Sequence, residues 1–130
     1  MQRRRFLTSL LALAGVAATA PPARALPRER RPIAIQCSPL AGFHYHEGEN
    51  LWHHLQVGQP LALVREPRNP YDRRAVRIDW NGHKLGYLPR DENVAVSQML
   101  DSGRRLTAEI LALDARDYHR LTLRISLEEV

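Results

Sequence analysis

Hydrophobic and polar residues alternate along much of the chain with a period of two. Ala75 to Trp80 places Val76, Ile78 and Trp80 on one side and Arg77 and Asp79 on the other, the pattern of a half-buried strand. Asn81-Gly82 follows as a type I′ turn pair, so a return strand is expected over His83 to Leu88. Leu121 to Leu127 keeps Leu121, Leu123, Ile125 and Leu127 on one face, and Leu106 to Leu113 precedes it as another strand. Ile33 to Ser38 reads as a first strand closed by Pro39, with Cys37 buried on it. Leu61 to Val64, a short continuous apolar run, reads as a strand buried on both faces. Helices are expected over Asp91 to Leu100, with acids in the first turn and Gly103 as a stop signal, and between Glu49 and Gln56. About six short strands and one or two short helices in residues 33–130 predict a mainly-β fold, a small, strongly bent sheet or partly open barrel, because a flat sheet would leave its edges and apolar face bare.

The first 25 residues do not fit this pattern. Arg3-Arg4-Arg5-Phe6-Leu7 has the twin-arginine spacing, an apolar run continues to about Ala20, and Ala23-Arg24-Ala25 offers a small-residue cleavage site. The apolar run is well short of the ~20 residues that cross a bilayer, so no stable membrane span is expected after processing. Residues 1–25 therefore read as a twin-arginine signal peptide and 26–32 as a Pro/Arg-rich tail. Residues 33–130 read as the domain, and the location as periplasmic or secreted.

That division changes the meaning of the charge. The whole chain of 130 residues carries 19 Lys+Arg against 14 Asp+Glu, a formal +5. The signal segment holds four of the arginines (Arg3, Arg4, Arg5, Arg24) and no acid, leaving 15 basic against 14 acidic residues. Broad electrostatic binding to a duplex needs many unneutralised cations, so any nucleic-acid contact must be local. The length allows one small domain. A lone cysteine excludes an internal disulfide and a Cys-only zinc site.

The densest chemistry lies in Val64 to Arg90. Glu66-Pro67-Arg68-Asn69-Pro70-Tyr71-Asp72 is a loop stiffened by two prolines, which fix their own φ and hold the preceding residues extended. It presents an amide, a phenol and a carboxylate together. One reading makes Asn69 and Asp72 partners of the turn's own backbone, with Tyr71 capping the core. The other makes the three a binding constellation.

Arg65-Glu66-Pro67, Asn69-Pro70-Tyr71-Asp72, Ala75-Val76, Gly82, Lys84, Gly86 and Leu88 resemble the HIRAN domain, over about Ile33 to Val130. The resemblance implies an OB-like barrel that captures the end of single-stranded DNA, with aromatics stacking terminal bases and a carboxylate recognising the 3′-hydroxyl. By motif position Tyr71 would stack a base, Asp72 would accept from the 3′-hydroxyl, and Asn69 would bind sugar or phosphate or brace the loop. Tyr45 would be a second stacking residue, and Tyr87 and Arg90 would line the phosphate path, with a helix N-terminus near Arg90 adding donors. Stacking contributes about 1–3 kcal/mol per base and is sequence-tolerant, so it suits a near-neutral domain. His44 stands where the best-known DNA-end binder of the family carries arginine, which lowers the positive potential at that position.

Clustered histidines offer another chemistry. On a strand His44 and His46 would share a face, and with His53, His54 and a carboxylate from Glu47 or Glu49 they could hold zinc or copper. Ordinary surface histidines are the alternative, and no cofactor is required. No phosphate-cradling Gly-rich loop and no nucleophile motif occurs, so the expected class is a non-catalytic binding module. Its expected partner is a single-stranded DNA or other nucleic-acid 3′ end. The alternative is a periplasmic interaction module that takes an exported protein, peptide or other polymer in the same groove.

Overall fold

The computed structural model describes residues 31–128. The expected signal peptide, most of the tail, and residues 129–130 lie outside the described residues. Six strands form: β1 (Ile33–Pro39), β2 (Pro60–Arg65), β3 (Val76–Trp80), β4 (His83–Tyr87), β5 (Leu106–Leu113) and β6 (Leu121–Leu127). They make one antiparallel sheet in the order β1-β6-β5-β2-β3-β4, with two short helices, α1 (Gly48–Leu51) and α2 (Val94–Asp101).

The sheet bends at β2. Its first two residues pair with β5, Pro60 opposite Glu109 and Leu61 opposite Ala108, and Ala62 to Arg65 pair with β3 instead. Register shifts at Ala34/Gln36, Ile78/Asp79 and Ile110/Ala112 add curvature, as bulges do. The curl brings the chain beyond β1 against β4 at the other edge. Ala41 and Tyr87 exchange two backbone hydrogen bonds of 2.9 Å, and Glu47 N–H donates to Lys84 O at 3.1 Å. One bridge without a continuing ladder leaves the sheet short of a closed barrel. Gly86 permits it, since a Cβ there would collide with the Ala41 carbonyl oxygen and stand 3.2 Å from Leu40 Cγ.

Alternation sets the core. Val76 and Ile78 of β3 and Leu121, Leu123 and Ile125 of β6 are buried and meet Leu40, Phe43, Leu85 and Val96. Asn81 and Gly82 both take positive φ, as the β3–β4 hairpin turn requires. Gly103, at φ 82°, ends α2: Arg104 N–H reaches Met99 O at 3.0 Å and Gly103 N–H reaches Leu100 O at 3.1 Å.

Four local expectations are corrected. Ser38 is the residue of β1 that points inward, so the adjacent Cys37 is exposed rather than buried. In β2 Leu61 is buried and Ala62 exposed, because the bent sheet covers only one face there. The second helix starts at Val94, with Asp91 and Glu92 in the preceding turn, where Glu92 N–H bonds Pro89 O. The expected 49–56 helix is the single turn α1 followed by a 3-10 turn over Trp52–His54.

Candidate nucleic-acid interface

Residues 66–75, the connection from β2 to β3, form a hook. Its ends are tied by Glu66 N–H to Ala75 O at 3.0 Å, and inside it Asn69 N–H reaches Glu66 O and Ala75 N–H reaches Asp72 O. Asn69 is the internal brace. Its Oδ1 accepts from the backbone N–H of Tyr71 (2.9 Å) and Asp72 (3.2 Å), and its Nδ2 donates to Glu66 Oε1 (3.1 Å). Of the two roles open to Asn69, the structure gives it the loop.

Between the hook and β4 lies an open cleft of about 870 Å³. Asn69, Tyr71, Asp72, Tyr87 and Arg90, expected from sequence as site residues, all line it. Tyr71 is 84% exposed and stands on the rim, so it does not cap the core. Asp72 is half-buried beside it. Oδ1 accepts from Arg74 N–H at 2.9 Å and Oδ2 from Asn93 Nδ2 at 2.7 Å. Burial pushes this carboxyl up, but the Arg74 and Asn93 hydrogen bonds and the charges of Arg90 and Arg74 outweigh it and hold it below the ordinary value. An ionised carboxylate has about four acceptor sites, so two protein donors leave room for a ligand hydroxyl.

Tyr87 makes the opposite wall and is tied to Glu66 at the start of the hook. The Tyr87 hydroxyl donates to Glu66 Oε1 at 2.8 Å, and Arg77 Nη1 donates to Glu66 Oε2 at 3.0 Å. Burial raises the Glu66 carboxyl, yet hydrogen bonds from Tyr87, Asn69 and Arg77 together bring it below its usual range. Lys84 Nζ stands 4.7 Å from the Tyr87 ring centre, and the His46 ring packs edge-on at 5.9 Å. Burial first, then Lys84, lowers the His46 pKa against the opposing charge of Glu66, which leaves a neutral imidazole at pH 7.

Arg90 donates to the Tyr71 carbonyl oxygen from the turn before α2. It does not start the helix, whose N-cap is Asn93, so the helix N-terminus expected beside Arg90 begins three residues later. Tyr45 and His44 do not line the cleft; they sit on the adjoining 3-10 turn, Phe43–Tyr45, with Tyr45 78% exposed. His44 bonds Glu49 Oε1 at 2.6 Å and Tyr118 O at 3.0 Å.

That turn also separates the histidines. His44 and His46 are not on a strand, His46 enters the cleft, and His53 and His54 are exposed on their own 3-10 turn. Among the described residues no three His, Cys, Asp or Glu side chains converge as metal ligands. No helix of the described residues is long and apolar enough to cross a membrane.

Sequence reasoning left Glu66, Lys84 and Asn93 without a role in the site. Glu66 was within reach, since it is the middle residue of the Arg65-Glu66-Pro67 triplet and opens the hook. Asn93 carries no local signal; it is 1% exposed, holds Asp72 through Nδ2, and its Oδ1 is buried without a partner among the described residues.

A family model described as the HIRAN domain matches residues 36–128. The helicase-like transcription factor of Oryctolagus cuniculus is 31% identical over 64 residues, covering 48% of this chain and 6% of that protein. The Fanconi-associated nuclease 1 homolog of Arabidopsis thaliana is 38% identical over 48 residues, 36% of this chain and 5% of that protein. The chain thus matches only a small part of these much longer relatives. Among solved structures, a protein from Lactobacillus plantarum superposes with a TM-score of 0.68 at 29% identity, covering 76% of this chain and 98% of that one. The HIRAN domain of human HLTF superposes with a TM-score of 0.61 at 21% identity, covering 73% and 74%. The latter likeness is one of fold.

Proposed function

The chain belongs to the HIRAN domain family, and on that premise we propose that it is a non-catalytic module that captures 3′-hydroxyl ends of single-stranded nucleic acid. The observation that carries this reading is the pairing of Tyr71 and Asp72 at the cleft mouth, an exposed phenol ring beside a carboxylate held ionised. The terminal base stacks on Tyr71, and the 3′-hydroxyl donates to a free lone pair of Asp72. The carboxylate is an acceptor only, so it rejects a 3′-phosphate, which brings negative charge and little donor capacity at neutral pH. Lys84, on the far wall, faces the phosphate that follows. Tyr45 takes the next base outside the cleft, one residue from His46 on its wall. Stacking of about 1–3 kcal/mol per base supports binding without a broad positive field.

The test is fluorescence anisotropy with a short oligothymidylate bearing either a 3′-hydroxyl or a 3′-phosphate. The hydroxyl form binds more tightly, and Tyr71→Ala and Asp72→Ala each reduce its binding tenfold or more, as loss of roughly 1.4 kcal/mol implies. Equal binding of both forms would refute end capture and favour a general groove for polymers.

A further inference from the structure

The hook borders a second concavity beside the cleft. Pro67, Arg68, Asn69, Pro70 and Arg73 line this smaller hollow of about 450 Å³, and all of them but Arg73 also line the cleft. Residues 65–77 contain five arginines, a dense run in a domain close to neutral. Two of the five are neutralised: Arg65 by Asp101 at 3.0 Å, and Arg77 by Asp79 at 2.9 Å and Glu66 at 3.0 Å. The acids of the hook are also committed, Glu66 to Arg77, Tyr87 and Asn69, and Asp72 to Arg74 N–H and Asn93. Of the remaining three, Arg74 acts on the Asp72 carboxylate and does not line the concavity, whereas Arg68 and Arg73 are exposed and their side chains make no hydrogen bond or ion pair with any other described residue. No carboxylate lines the concavity they share.

A guanidinium pair that internal acids do not neutralise, carried on a loop fixed by two prolines and the Asn69 brace, suits an anion with several acceptor oxygens. We propose that the Arg68–Arg73 face is a contact site for the phosphodiester backbone of the nucleic acid whose end occupies the cleft. This inference rests on the end-capture reading and adds a division of labour to it. The cleft reads the terminus through stacking and one hydroxyl, and the adjoining arginine face supplies most of the salt-dependent attraction.

The experiment measures affinity for a 3′-hydroxyl oligothymidylate and its 3′-phosphate counterpart against salt, from about 50 to 200 mM, where counterion release governs the slope. Each phosphate contact on a single strand contributes a slope of about 0.7, so Arg68→Gln/Arg73→Gln should flatten the log–log plot by about 1.4. Its preference for the hydroxyl over the phosphate end should persist. Arg68→Lys/Arg73→Lys, which keeps the charge, should restore the slope, and thermal unfolding of both variants should match the parent because the side chains are exposed. A wild-type slope in the glutamine variant, with end preference intact, overturns this proposal and leaves end capture standing. A flattened slope in a protein that never distinguished the two ends overturns end capture and leaves the backbone contact.

Discussion

The Tyr87 hydroxyl donates to Glu66 Oε1 across 2.8 Å, joining residues 21 positions apart. The same oxygen accepts from Asn69, and the other carboxylate oxygen accepts from Arg77. Glu66 therefore connects the hook, the opposite wall of the cleft and β3. A ligand that pushes on Tyr71 meets a loop already anchored to the sheet, so the ordering cost of binding is largely met in folding.

Replacing Glu66 should expose this dependence. Glu66→Ala leaves the Tyr87 hydroxyl and the Asn69 amide without their acceptor, which costs about 1–3 kcal/mol in urea denaturation. The pH response follows from the depressed carboxyl. A native pKa below the unfolded one means the unfolded chain binds more protons as pH falls through the ordinary carboxylate range near 4, so stability is present above that range and lost below it. The alanine variant should lose less stability over that acid limb than the parent. An identical acid limb in both would show that Glu66 does not contribute to it.

Gly86→Ala tests the closure of the sheet. The added methyl meets the Ala41 carbonyl oxygen at the Ala41–Tyr87 bridge that joins the two edges. Overpacking of this kind costs about 1–3 kcal/mol and should lower the thermal midpoint. Because Tyr87 belongs to that bridge, oligonucleotide affinity should fall as well. An unchanged midpoint would mean that the edges can part freely.

What could be read from the chain alone follows the range of the contacts involved. Asn69, Tyr71 and Asp72 are contiguous, and two prolines mark their loop, so local chemistry locates them. Lys84 and His46 reach the same cleft only because the sheet curls until Ala41 meets Tyr87, and no residue near either announces that. The strands of residues 76–80 and 121–127 are legible because one face is buried and the other is not. Cys37 misleads for the complementary reason: the apolar content of residues 33–38 signals a strand, and the face is decided by Ser38 turning inward. His44 and His46 depend on local conformation, since a strand would align them and the 3-10 turn separates them.

Cys37 carries a direct test of that face. Exposed on an edge strand and unpaired, it should react completely with a chromogenic disulfide reagent in the native state, at a rate close to that in denaturant. Labelling that requires unfolding would return it to the interior.

We propose that residues 1–25 direct export of the folded domain by the twin-arginine route. Fractionation of a bacterial host should find the parent outside the cytoplasm and Arg3→Lys/Arg4→Lys inside it. Cytoplasmic retention of both forms would remove the export proposal and put the domain in the compartment where nucleic-acid ends are most abundant.

His46 gives ligand affinity in the cleft a pH response of opposite sign to protonation of the Asp72 carboxylate. Its imidazole is neutral at pH 7, because burial and Lys84 lower its pKa more than Glu66 raises it. As pH falls below its ordinary value of 6.5 the imidazole takes up a proton, while Asp72 and Glu66, depressed below the usual carboxylate range, favour the ionised form. The cleft gains one positive charge beside Tyr87 and keeps the acceptor for the 3′-hydroxyl, so affinity for a 3′-hydroxyl oligonucleotide should rise. Stability should move the other way, since the unfolded histidine titrates near 6.5 and binds more protons than the native one below that pH. His46→Gln should flatten both trends together. Affinity that falls over this interval in the parent, or rises equally in the glutamine variant, would place the responsible proton elsewhere.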